Sequence, residues 1–206
     1  MSPPTRFFAP LLFLLAAALP LRAQSGAAAL SDMCVGGQPS APIRIEVFSD
    51  FQCPACRAFF LDTIRPLLAG YARENKVCVV FHDFPLQMHT YARAASQYAA
   101  AARRLGLEQW VRVTEALYTD QAQWAEDGKL DPVVARVLSP EDMARVRKLI
   151  ADPAISQAVE QEVALAARRQ VRVTPTFFVF ANGREQRVEG SLSYPILKDY
   201  LDRLLR

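Results

Sequence analysis

The spacing of apolar positions changes character five times along the chain. IRIEVFS, Ile43 to Ser49, is rich in branched and aromatic residues and predicts a strand. From Pro54 the apolar residues switch to helical spacing. Phe59, Phe60, Ile64, Leu67 and Leu68 share one face of a helix running through RAFFLDTIRPLLAGYARE. Pro66 lies inside that run and is expected to kink or break it, because proline lacks the N–H that the helix needs. KVCVVFHDF, 76–84, predicts a second strand. Strand, helix and strand at this spacing form a βαβ unit, whose two strands should be parallel.

A long helical region follows, 88–170. TYARAASQYAAAARRLG is helical by propensity, and Ala92, Ala95, Ala99 and Ala102 form a small-residue stripe suited to close packing. LEQWVRVTEALYTD, DPVVARVL, SPEDMARVRKLI and DPAISQAVEQEVALAARRQ predict further helices. Ser139-Pro140-Glu141-Asp142 combines a cap, a proline at the first helical position and early acids, which mark a helix start. The pattern then changes back to strand-like runs. TFFVFANGREQRVEG reads as a hairpin about Asn182-Gly183. SYPILKDYLDRLLR is an amphipathic closing helix with Ile196, Leu197, Tyr200, Leu201 and Leu204 as its apolar positions. The outline is β-α-β, a helical insertion, then β-β-α: an α/β chain with a central mixed sheet flanked by helices and split by an α-helical subdomain.

The N-terminus fits neither pattern. Arg6 precedes the uncharged apolar run FFAPLLFLLAAALPL, and Ala23 offers a small residue for cleavage, so 1–23 reads as a secretory signal. The alternative is an uncleaved anchor, although the run is short and holds Pro10 and Pro20. QSGAAALSD behind it is small and polar, a flexible lead-in. The chain carries 24 Lys+Arg against 21 Asp+Glu. Losing Arg6 and Arg22 leaves 22 against 21, which gives no electrostatic case for nucleic-acid binding. Export matters because an oxidising compartment lets disulfides persist, and the chain has four cysteines: Cys34, Cys53, Cys56 and Cys78.

Cys53-Pro54-Ala55-Cys56 lies where the first strand gives way to a helix. Cys53 falls at the N-cap and Pro54 at the first helical position. Free backbone N–H groups and the positive end of the helix dipole then face the Cys53 sulfur and favour its thiolate. Cys56, one turn on, should be more buried and placed to attack a mixed disulfide at Cys53. A stabilised thiolate stabilises the reduced form, so the pair becomes a better oxidant. Ala55 adds neither charge nor side-chain hydrogen bond, so the shift should be smaller than with a cationic or imidazole group there. A redox pair is favoured over half a zinc site, since Cys34 and Cys78 form no second C-x-x-C. A purely structural disulfide is the third reading.

EVFSDFQCPACRAFF, VVFHDFPLQMH and VRVTPTFFVFANG, in this order around a helical insertion, resemble the DsbA-like branch of the thioredoxin superfamily over nearly the whole mature chain. The resemblance implies a thioredoxin fold with an α-helical insertion, and thiol:disulfide oxidoreductase activity in the bacterial cell envelope. It divides the chain into the signal 1–23, a lead 24–42, a βαβ part 43–87, the insertion 88–170 and a ββα part 171–206. It also implies that Thr174-Pro175 is a cis-proline loop, with Pro175 facing Cys53 and the Thr174 backbone open to a substrate chain. Without it, Pro175 would read as an ordinary trans proline at a strand edge. Family members carry an acid on the first strand that moves the proton of the second cysteine. Glu46 is the candidate here, one residue further from Cys53 than in the best-known members. It could instead pair with Arg44 or Lys76.

With Cys53 and Cys56 paired, Cys34 and Cys78 are left for each other. Cys34 lies just before the first strand and Cys78 near the start of a parallel one, so both sit at the sheet edge away from Cys53. A structural disulfide is expected, with two buried free thiols or an auxiliary redox pair as alternatives. His82 and His89, placed by the resemblance on the active-site side of the sheet, receive no catalytic role. Asp50 reads as a turn or cap residue. Phe51, Phe84, Pro85 and Met88 either line an apolar groove beside Cys53 or pack in the core. The expected protein is an exported, periplasmic, monomeric dithiol oxidase without cofactor or metal. Its expected partners are reduced substrate proteins and a membrane quinone-linked thiol oxidase that reoxidises it. The competing functions are a reductase or isomerase with the same motif, or a non-enzymatic Cu(I) binder, for which no Met- or His-rich tract speaks.

Overall fold

The computed structural model describes residues 33–206. The signal at 1–23 and the start of the lead, 24–32, lie outside the described residues. Five strands form one sheet: β1 (Cys34–Gly36), β2 (Ile43–Ser49), β3 (Val77–Asp83), β4 (Thr176–Ala181) and β5 (Arg184–Glu189), in the order β1-β3-β2-β4-β5. β2 and β3 are parallel, with Ile43 opposite Val77 and Ser49 opposite Asp83. β4 runs antiparallel to β2, and β5 to β4. This is the expected thioredoxin fold, with helices inserted between β3 and β4. Asn182 and Gly183 both have positive φ, 51° and 70°, the geometry that a two-residue hairpin turn requires and that Asn-Gly tolerates best.

Strand alternation sorts the core into two layers. Ile43, Ile45 and Val47 of β2 join Val77, Val79 and Phe81 of β3 on the face packed by helix α1, residues 54–72. Phe48 points the other way, into a smaller cluster with Phe178, Ala166 and Val171. Ala166 belongs to α7 (Pro153–Arg168), the last insertion helix, so α7 covers this second face. The other insertion helices are α2 (Ala92–Leu105), α3 (Leu107–Thr119), α4 (Gln121–Asp127), α5 (Leu130–Ala135) and α6 (Pro140–Ile150). Ala92, Ala95, Ala99 and Ala102 of α2 are fully buried, as their stripe predicts. Ser139 caps α6, its hydroxyl accepting the Asp142 N–H at 3.1 Å.

The structure adds detail that the sequence pattern does not carry. In the described part of the lead, β1 pairs antiparallel with β3, Cys34 opposite Val80. It is too short to show a period, and it is fixed by a disulfide and by Gly37, whose φ of +75° and contact with the Val77 carbonyl exclude a side chain. Pro66 does not break α1. The helix opens into π turns at Phe60–Ile64 and Leu68–Ala72, and the Arg65 N–H bonds back to Phe60. The wider turns carry the chain past the missing N–H. α4 lies inside the helical region expected over 88–170, at a stretch where the sequence pattern singles out no separate helix. In α8 (Tyr194–Leu204), Leu197 and Leu201 are buried, but Ile196 is 56% exposed.

Candidate active site

β2 delivers the chain to the site at Ser49, and Asp50 to Gln52 turn it into α1. The Cys53 N–H closes this turn on the Asp50 carbonyl at 3.2 Å. Asp50 behaves as the turn residue expected: its Oδ1 accepts the Gln52 N–H at 2.7 Å, and its Oδ2 accepts the Leu86 N–H at 2.7 Å and lies 2.8 Å from His89 Nδ1. Cys53 is the N-cap of α1, with extended φ and ψ and no capping bond from its side chain, and Pro54 opens the helix. Its sulfur is therefore left free at the electropositive end of the helix.

The two cysteines differ sharply in environment. Cys53 is 8% exposed and Cys56 fully buried. Both are free thiols. The Cys53 thiol is pushed down to about 5, first by a hydrogen bond from the Cys56 thiol, then by the Thr174 hydroxyl and the backbone N–H groups of Cys56 and Ala55; burial works against this. The Thr174 hydroxyl is buried without a partner of ordinary length, so it is available to a charged sulfur. Cys56 is pushed far up, chiefly by burial, then by the hydrogen bond and charge of Cys53. The Ser49 hydroxyl and the Asp50 N–H, 3.4 Å from Cys56 Sγ, pull the other way. One sulfur is thus a thiolate at neutral pH and its neighbour a thiol.

The Thr174–Pro175 bond is cis. The loop lies against Cys53, whose Sγ is 3.6 Å from the Thr174 carbonyl oxygen. Cys53, Cys56, Thr174 and Pro175 therefore meet in one place. Glu46 does not join them. It bonds Arg44 at 2.8 Å and shares the β2 face of Phe48, away from the helix that carries Cys56. The extra residue Gln52 lengthens the turn after β2, so counting back from Cys53 does not find the buried side of the strand.

Cys34 and Cys78 are bonded, with 5.3 Å between their Cα atoms, at the far end of the sheet. His82 is buried on the Phe48 face, stacked on that ring, with Nδ1 2.7 Å from Glu162; it is not on the face of α1. Of the four groove candidates, Phe51 and Pro85 are buried and Phe84 packs on the second cluster. Met88, 81% exposed, stands out from this loop, and Val173, 45% exposed, from the cis-proline loop.

The insertion supplies contacts that sequence spacing did not reveal. Gln121 of α4 donates from Nε2 to the carbonyls of Phe51, at 2.6 Å, and Cys53, at 3.0 Å. Gln52 donates to the Ala125 carbonyl and accepts the Tyr91 N–H. Arg57 donates to the Tyr118 carbonyl, and the Tyr118 hydroxyl lies 2.7 Å from Ser49 Oγ. Asp83, opposite Ser49 at the end of β3, is raised to about 8 by burial and the nearby Glu162 charge, against the pull of Arg103. Among the described residues, no group of three or more His, Cys, Asp or Glu is placed to hold a metal ion.

A family model described as Thioredoxin matches residues 30–203. Over 154 residues the chain is 25% identical to the probable disulfide bond formation protein D of Bacillus cereus, covering 71% of this chain and 69% of that protein. Among solved structures, alpha-DsbA1 of Wolbachia pipientis is similar with a TM-score of 0.69 and 18% identity over 82% of this chain and 88% of that one. DsbA2 of Pseudomonas aeruginosa has a TM-score of 0.66 and 24% identity over 82% and 92%.

Proposed function

Because the chain belongs to the thioredoxin family, we propose that it is a thiol:disulfide oxidoreductase that works as a dithiol oxidase, giving the Cys53–Cys56 disulfide to reduced proteins in the bacterial envelope. The observation that carries this is the split between the two sulfurs: Cys53 lowered to about 5 at a helix N-terminus, Cys56 raised by burial. A substrate thiolate attacks Cys53 Sγ. The new bond joins substrate sulfur to Cys53, and the Cys53–Cys56 bond breaks with its electron pair left on Cys56, which takes a proton. A second substrate thiolate attacks the mixed disulfide and Cys53 leaves as thiolate. The substrate dithiol has lost two electrons and two protons; one proton rests on Cys56 and the other passes to solvent. Because Cys53 leaves as a stabilised anion in the second step, release of the oxidised substrate is favoured, and the reduced enzyme is stabilised as product.

In this reading 1–23 is a cleaved signal and the mature protein a periplasmic monomer. A quinone-linked membrane oxidase restores the disulfide. Among the described residues no helix is long and apolar enough to cross a membrane. Thr174, through its backbone, and Pro175 receive the substrate chain beside Cys53, and Met88 and Val173 offer it apolar contact. The test is the reduction potential of the pair against glutathione. A value above about −180 mV supports disulfide donation, and one near about −270 mV reverses the direction of electron flow.

A further inference from the structure

Ser49 ends β2 directly under the motif. It is 1% exposed, and its Oγ lies 2.7 Å from the hydroxyl of Tyr118, a fully buried residue of α3. The Tyr118 ring is gripped by Phe60, stacked at 4.8 Å between centroids, and by Phe51 at 5.0 Å. Arg57, on the turn after Cys56, holds the Tyr118 carbonyl. The phenol is therefore fixed at both ends, its ring by packing and its backbone by the guanidinium. Glu46, the acid expected to serve Cys56, faces elsewhere. Yet each turnover that opens the disulfide places an anion on Cys56 in a fully buried site, where an unassisted charge is costly.

We propose that Ser49, aligned by Tyr118, is the hydrogen-bond donor that receives the Cys56 thiolate as it leaves Cys53. A phenol is a stronger donor than an alkyl alcohol, so the Tyr118 O–H donates a hydrogen bond to the Ser49 oxygen and the Ser49 O–H turns to donate to the sulfur. The Asp50 N–H, 3.4 Å from Cys56 Sγ, is the second donor. Burial and the Cys56 charge hold the Tyr118 phenol well above its usual range, so it stays protonated and remains a donor throughout. No proton moves along the pair: the two hydrogen bonds carry the anion until Cys56 is protonated. In this proposal Ser49 is the group that reaches the reacting sulfur, one residue before the Asp50 N–H that lies 3.4 Å from it, and Tyr118 is a positioning residue.

The other titratable groups around this point are Cys53 and Asp50 on the motif side, His89 on Asp50, and Asp83 on β3 beside Ser49. Asp83 titrates near 8, so an Asp83→Asn control separates its contribution.

This inference rests on the oxidoreductase reading, but its test does not. In a Cys53→Ala background, the Cys56 titration is followed by the ¹³Cβ shift of labelled cysteine. Ser49→Ala should raise the Cys56 pKa by about one unit, a tenfold loss in ionisation, as expected for one hydrogen bond to a charged group. Ser49→Thr, which keeps the hydroxyl, should restore it, and Tyr118→Phe should fall between. With Cys53 present, Ser49→Ala should slow single-turnover oxidation of a dithiol peptide by about the same factor. A Cys56 titration unmoved in both Ser49→Ala and Tyr118→Phe overturns the proposal. If Ser49→Ala does not fold, Tyr118→Phe alone decides it. A wild-type disulfide that oxidises no peptide would remove the functional reading, while the Cys56 titration still judges the Ser49 bond.

Discussion

Cys53 is one atom group held between opposed effects. Burial alone would raise its pKa, but donors from Cys56, Thr174, and the backbone of Cys56 and Ala55 outweigh burial and bring the thiol down to about 5. Iodoacetamide reactivity of the reduced protein should therefore titrate with a midpoint near pH 5. Thr174→Val, which keeps the shape and removes the hydroxyl, should move it upward by about half a unit to one unit, the size of one side-chain hydrogen bond. An unmoved midpoint would mean that the hydroxyl does not reach the sulfur. Glu46 gives the opposite prediction. Its partner is Arg44 and its face is not that of Cys56, so Glu46→Gln should leave the Cys56 titration in place and change stability by no more than about 1 kcal/mol, measured by urea unfolding.

Elements explain why the pair could be read from sequence while its supports could not. β2, α1 and β4–β5 carry local signals: branched and aromatic residues, a proline after the N-cap, a hairpin turn at Asn182-Gly183; the cis bond at Thr174-Pro175 has no local signal and came from the family resemblance alone. The supports come from far along the chain, with Gln121 reaching Phe51 across 70 residues and Arg57 reaching Tyr118 across 61. A buried glutamine in a seven-residue helix leaves no periodic trace, so α4 and its role were both invisible. β1 escaped for the same reason, with three residues and no alternation to count. Glu46 misled because strand parity, which decides the face, cannot be counted through a turn of unknown length. α4 matters in proportion to what it satisfies. Gln121→Leu would leave the buried carbonyls of Phe51 and Cys53 without their donor, at a cost of about 2–4 kcal/mol in urea unfolding of the reduced protein. Loss of less than about 1 kcal/mol would show that water replaces the side chain.

At the scale of the whole molecule, two cysteine pairs do different work at opposite ends of one sheet. Cys34–Cys78 closes a loop with a sequence separation of 44, which in the chain-entropy account is worth about 4 kcal/mol, so Cys34→Ala with Cys78→Ala should lose about that much in unfolding free energy while the Cys53 titration stays put. Cys53–Cys56 instead links stability to redox state and pH. In the reduced protein the folded Cys53 titrates near 5 and the unfolded one near its ordinary value of 9.0. Between these values the unfolded chain holds a proton that the folded chain has lost, so stability rises with pH; the gain is complete above about pH 9 and gone below about pH 5. Cys56 has the opposite sign. Its folded pKa is raised, so it contributes nothing adverse until the pH passes the unfolded value, and it leaves the window from pH 5 to 8 to Cys53. The oxidised protein has neither thiol, and the carboxylates common to both states largely cancel in the difference. The thermal midpoint of the reduced protein relative to the oxidised one should therefore increase steadily from pH 5 to pH 8 and level off below pH 5. A difference that is flat across that window would mean that the Cys53 thiolate gains nothing from the fold, and the drive for disulfide donation would have to come from strain in the oxidised state instead.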